Sequence, residues 1–108
     1  GLITPEDIAK QDPDKPAYKK YFPHGTSHPL GIDVHDVGHM WKPIQPGMVF
    51  TVEPGVYIAA GAEHVPEEFF NIGVRIEDDV LATNNGPRVL THKVPKDAAE
   101  IEEIMAQR

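Results

Sequence analysis

Two glutamates stand in similar settings in this 108-residue chain. Glu53 closes the alternating run "MVFTVE" and Glu77 lies within "GVRIEDDV", each on the strand face opposite a row of aliphatic side chains. If the two runs pair in one sheet, both carboxylates can aim at one point, where they repel unless a cation sits between them. Hard divalent metals suit carboxylate oxygens, and a neutral imidazole can join them. His28 is the natural nitrogen donor, in the glycine-containing stretch "YFPHGTSHPLGIDVHDVGH" that holds four of the six histidines. Arg75, two residues before Glu77 on the same face, could orient a carboxylate through its planar fork. Taken singly, each of these residues reads as well or better as a polar surface group, because alternation does not reveal what covers a sheet face. His39, His64 and His92, and the aspartates of "EDD", read as solvated.

The elements that must position these groups follow from local pattern. "TPEDIAK" offers Thr4 as N-cap and Pro5 at the first helical position, and "QDPDKP" cannot continue that helix. "LGIDVHD" alternates in a strand-like way, with Ile32 and Val34 opposed to Asp33 and His35. After the turn "QPG", Met48, Phe50 and Val52 share one strand face while Val49, Thr51 and Glu53 share the other. "VYIA" resumes an extended pattern, "AGAEHVPEEFFN" reads as an exposed excursion, and "GVRIEDDVLAT" alternates as one further run. "NNGP" then turns a hairpin onto "RVLTHKV". In the tail, Asp97 and Glu100 have capping-box spacing, and Ala98, Ile101, Ile104 and Met105 form a helical stripe. These elements make an α+β domain: antiparallel strands with terminal helices.

Composition removes several classes of function. Seventeen acidic against ten basic residues give a formal charge of −7, and the basic residues are scattered, which disfavours nucleic acid and anionic membrane as partners. Without cysteine, any metal must be held by nitrogen and oxygen. No apolar run approaches the length of a membrane-spanning helix. The opening "GLIT", with no methionine, leads us to expect that an N-terminal part is missing.

In this order the motifs "HGTSHPLGIDVHDVG", "QPGMVFTVEPGVYI" and "GVRIEDDVLAT" resemble the carboxy-terminal half of the catalytic domain of Xaa-Pro aminopeptidases. These are pita-bread metallopeptidases, a group that includes prolidase. The resemblance runs from about Leu2 to Met105 and implies half of a pita-bread fold, a curved antiparallel sheet with flanking helices. It also implies a dinuclear centre with two aspartate, one histidine and two glutamate ligands. His28 corresponds to the histidine ligand, Glu53 to a terminal glutamate and Glu77 to the carboxylate that bridges both metals. His24 and His35 resemble the non-ligand histidines that place the peptide and handle protons, and Arg75 resembles the arginine that supports the site.

The implied reaction removes the N-terminal residue from peptides with proline in second position, by a water activated between two divalent cations, expected to be Mn2+. The family's aspartate ligands precede "HGTSH", and Asp7, Asp12 and Asp14, in a helix start and its proline-rich exit, cannot supply them. Residues 1–108 are therefore expected to be the carboxy-terminal portion of a catalytic domain, inactive without the missing N-terminal half. The parent enzyme is expected in the cytoplasm, with room for a homo-oligomer. The competing readings are a Xaa-Pro dipeptidase (prolidase) fragment, a non-catalytic pita-bread module that binds peptide or protein, and a small mononuclear His and Glu enzyme. Retention of His28, Glu53 and Glu77 together favours descent from a working metal site.

Overall fold

A computed structural model describes residues 1–39 and 41–107. By packing, the chain divides into one unit of Gly1–Thr26 with Pro54–Arg75 and a second of Ser27–Glu53 with Ile76–Arg108.

In the first unit, helix α1 spans Pro5–Lys10. Thr4 caps it as the sequence predicts: its hydroxyl accepts from the Asp7 N–H at 3.2 Å, and the Asp7 carboxylate accepts from the Thr4 N–H at 2.8 Å. A single 3-10 turn, Ala17–Lys20, leads to buried Tyr21, whose carbonyl accepts from the Tyr57 N–H at 2.8 Å. Strand β2 (Gly55–Ile58) pairs antiparallel with β3 (Ile72–Arg75), Gly55 opposite Arg75 and Tyr57 opposite Gly73. The largely exposed segment between them, 59–71, contains one 3-10 turn at Glu67–Phe69.

The second unit is built around a three-stranded antiparallel sheet in the order β1 (Val49–Val52), β4 (Asp78–Thr83), β5 (Gly86–Val89). Asn84 and Asn85 turn the β4–β5 hairpin, and Gly86 takes a φ of +107°, a conformation that L side chains rarely adopt. The free side of β1 is not left open. Pro29 bridges to Phe50, the Thr51 N–H donates to the His28 carbonyl at 3.0 Å, and the Leu30 N–H donates to the Val49 carbonyl at 3.0 Å. Helix α2 (Ala98–Ala106) starts at Asp97, whose carboxylate accepts from the Ala99 and Glu100 N–H groups.

Two sequence expectations change. "GVRIEDDVLAT" is two strands rather than one run: β3 pairs with β2, and β4 pairs with β1 and β5. The run from β1 to β2 makes the matching change of sheet at Pro54, which has no N–H to give a ladder. Residues 31–35 are bends rather than a strand, because the Asp36 carboxylate collects the Ile32 and Val37 N–H groups while its own N–H donates to the Pro29 carbonyl. On α2, Ile101, Ile104 and Met105 of the helical stripe are exposed.

Asp78 is also not merely solvated. The Thr91 hydroxyl donates to its Oδ1 at 2.6 Å, and Lys96 Nζ stands 3.0 Å from the same oxygen. The Thr91 hydrogen bond first, and Lys96 second, hold this carboxyl below the ordinary aspartate value. Since the folded value is the lower one, the contribution to stability is complete above the unfolded value of about 3.9 and is lost as pH falls through the depressed folded value. Lys96→Met should lower the urea midpoint at neutral pH and make its decline below about pH 4 shallower than in the wild type. An unchanged slope would mean that Lys96 does not sustain the depressed value.

Candidate metal centre

Strand β1 has a neighbour on each side, and the pairing registers decide what meets at its end. Counting one step past Val52 opposite Asp78 brings Glu53 opposite Glu77. Opposed residues share a face with Cβ atoms about 4.5–5.5 Å apart, so the two carboxylates must crowd. From the other side, His28 lies alongside Thr51, two residues before Glu53 and on the same face as it. One ring nitrogen of His28 and one carboxylate oxygen each of Glu53 and Glu77 all lie within 4.8 Å of one another. Glu53 is 8 % exposed, His28 is half-buried and Glu77 is exposed, so the cluster is anchored inside and open on one side.

Hydrogen bonds set the polarity of the donors. His28 Nδ1 lies 2.9 Å from the Pro29 carbonyl, which can only accept, so Nδ1 carries the ring proton. Nε2 then faces Glu53 Oε1 at 3.0 Å. In a neutral ring this sets a lone pair against a carboxylate oxygen, an arrangement relieved by a second ring proton or by a cation that both atoms ligate. One imidazole with its far nitrogen tied to a carbonyl, plus two carboxylates, is a donor set that fits a divalent cation. The Thr51 hydroxyl accepts from the His28 N–H at 3.0 Å and donates to Glu53 Oε1 at 3.1 Å.

His35, on the bend made by Asp36, belongs to the same unit, and its exposed ring packs against His28 with centroids 4.4 Å apart. His24 and Arg75 belong to the first unit. Arg75 ends β3, exposed and opposite Gly55. His24 Nδ1 is 2.7 Å from the Gly25 carbonyl and so carries the proton, leaving Nε2 to accept from the Tyr57 hydroxyl at 2.6 Å. Its ring meets Phe22 and Tyr57 edge-on, at 4.7 and 5.3 Å between centroids. His39, His64 and His92 are exposed, as expected.

Two residues escaped the sequence reading. Thr51 shares the strand parity of Glu53, a usable signal, but a threonine in a strand is ordinarily there for its β-branched shape. Tyr57 gave no signal, because what marks it is two glycines elsewhere on the ladder. A Cβ at Gly55 would stand 2.7 Å from the Tyr57 hydroxyl oxygen, and one at Gly73 would stand 2.7 Å from Tyr57 Cδ1.

Residues 4–84 match metallopeptidase family M24. The chain is 50 % identical over 93 residues to rat (Rattus norvegicus) Xaa-Pro aminopeptidase 3, covering 84 % of this chain and 18 % of that protein. It is similar to a zinc-substituted Escherichia coli aminopeptidase P solved in complex with product, at 50 % identity and TM-score 0.78 over 84 % of this chain and 21 % of that one. It is also similar to proline aminopeptidase P II from Yersinia pestis, at 44 % identity and TM-score 0.84 over 100 % of this chain and 25 % of that one. The chain thus spans about a fifth to a quarter of the length of these proteins.

The glycine cradle gives a direct test. Gly73→Ala should push the Tyr57 ring off β3 and separate it from His24, at a cost of about 1–3 kcal/mol. Urea denaturation measures the cost, and loss of the His24–Tyr57 ring proximity in nuclear Overhauser spectra reports the displacement. A variant with both unchanged would show that Tyr57 does not need a glycine at position 73.

Proposed function

The chain belongs to metallopeptidase family M24, and from that premise we propose that it supplies three ligands of the metal centre of a peptidase that removes the N-terminal residue from peptides with proline in second position. The observation that carries this reading is the convergence of His28, Glu53 and Glu77 within 4.8 Å. The proposed roles are His28 as nitrogen ligand, Glu53 as terminal carboxylate and Glu77 as the bridging carboxylate of two divalent cations, with manganese the proposed native ion. A zinc-substituted relative supports divalent-cation use without selecting the ion. Cations bound there would supply Lewis acidity, lowering the pKa of water and polarising a scissile carbonyl.

The chain's own residues account for the remaining tasks. A peptide bond to proline has no N–H, so recognition must read the ring and the carbonyl rather than a backbone donor. His35, exposed beside His28, can meet such a substrate with an imidazole that offers a hydrogen-bonding ring nitrogen. His24 holds its Nδ1 proton on the Gly25 carbonyl and accepts from the Tyr57 hydroxyl at Nε2, which fixes its tautomer and ring orientation. Arg75 is the proposed support of the carboxylates through its planar fork. Two aspartate ligands are proposed to lie in the remainder of a longer enzyme, of which residues 1–108 form the carboxy-terminal part of the catalytic domain, inactive alone. Among the described residues no helix is long and apolar enough to cross a membrane. A cytoplasmic enzyme, open to homo-oligomer formation, is the proposed context.

A protein extended to the length of the relatives should cleave Xaa-Pro peptides with Mn2+ added, lose activity to a chelator and regain it with the metal. His28→Ala in that protein should lower kcat/KM by roughly 100-fold or more, since even partners of metal ligands are worth 10- to 100-fold. Comparable turnover by residues 1–108 alone would overturn the need for further ligands. Cleavage that ignores proline would overturn the substrate class.

A further inference from the structure

Thr51 is the most deeply buried side chain among the described residues, at 1 % exposure, yet it carries a hydroxyl on the face that bears the metal-binding groups. That hydroxyl has one proton to give. It accepts from the His28 N–H at 3.0 Å, so its own hydrogen goes to Glu53 Oε1 at 3.1 Å. The Thr51 N–H in turn donates to the His28 carbonyl at 3.0 Å. His28 is therefore held to Thr51 at both of its backbone polar groups, and Glu53 is held to the same residue through its side chain.

We propose that Thr51 is the positioning residue of the metal centre: its buried hydroxyl ties the segment bearing the nitrogen donor to the carboxylate of the neighbouring strand, so that His28 and Glu53 reach a cation as one preformed pair. The inference rests on the metal reading above. Without the hydroxyl, His28 would keep only the carbonyl half of its clamp, and Glu53 Oε1 would lose the hydrogen bond from Thr51. Both ligands would then have to be ordered at the moment of metal binding, and affinity would fall. A valine fills nearly the same volume with the same branching, so it removes the hydroxyl while leaving the packing in place.

Isothermal titration of the protein extended to the length of the relatives with Zn2+ and with Mn2+, beside urea midpoints, separates the outcomes. Thr51→Val should bind about 10- to 100-fold more weakly while remaining folded, and Thr51→Ser, which restores the hydroxyl, should return to within about threefold of the wild type. Wild-type affinity in a folded Thr51→Val would overturn the role of Thr51 and leave the metal site standing. Should the valine variant unfold, Thr51→Ser decides: retained affinity supports the hydroxyl, and a tenfold loss in a folded serine variant overturns it. Absence of binding by the wild type, or binding indifferent to His28→Ala, would overturn the metal reading itself and Thr51's part with it.

Discussion

The arrangement of the candidate centre depends on β1 being hydrogen-bonded on both sides. Residues 28–30 hold one edge and β4 the other, and each pairing has a definite register. Side chains alternate with a period of two, so these registers decide which groups share a face. His28, Glu53 and Glu77 come from three chain segments far apart in sequence. They meet because one short strand aligns the other two.

The same ladder explains a local conflict. Like charges directly opposite each other in a sheet are destabilising, and Glu53 and Glu77 occupy such positions. Both lie just beyond the ends of their strands, where the chain is no longer committed to the ladder. The next acid, Asp78, is treated differently: it is inside β4 and is matched by Thr91 and Lys96. Adjacent acidic residues therefore divide the work. Asp78 fastens the strand, and Glu77 stands at its mouth within 4.8 Å of Glu53 and His28.

Much of this was legible in the chain itself, and what was not has a common cause. Alternation correctly put Thr51 with Glu53 and set both apart from Phe50, because strand parity is a local property. Thr4 and Asp97 announced their helices, because a cap is made within three residues. Partner changes are another matter. Nothing in "GVRIEDDVLAT" says that its first half pairs with β2 and its second with β1, since that choice is made by residues 14 to 32 positions away. The bend at 31–35 was hidden for a related reason: Asp36 looked like one more polar residue in an alternating pattern, whereas its carboxylate captures backbone N–H groups that a strand would have used. Tyr57 was invisible because its marker is the absence of side chains at Gly55 and Gly73.

The double-sided pairing of β1 also says how such a sequence can drift in length. Loss of one residue within 49–53 would turn Glu53 to the opposite face while His28 and Glu77 stayed where they are, dismantling the donor set without touching a ligand. The segment 59–71 connects two strands whose register is set elsewhere, and it is largely exposed, so residues can come and go there without shifting any donor. Length variation in descendants of this chain should accordingly gather in that excursion, with the few residues around Thr51 kept at constant count even where their identities change.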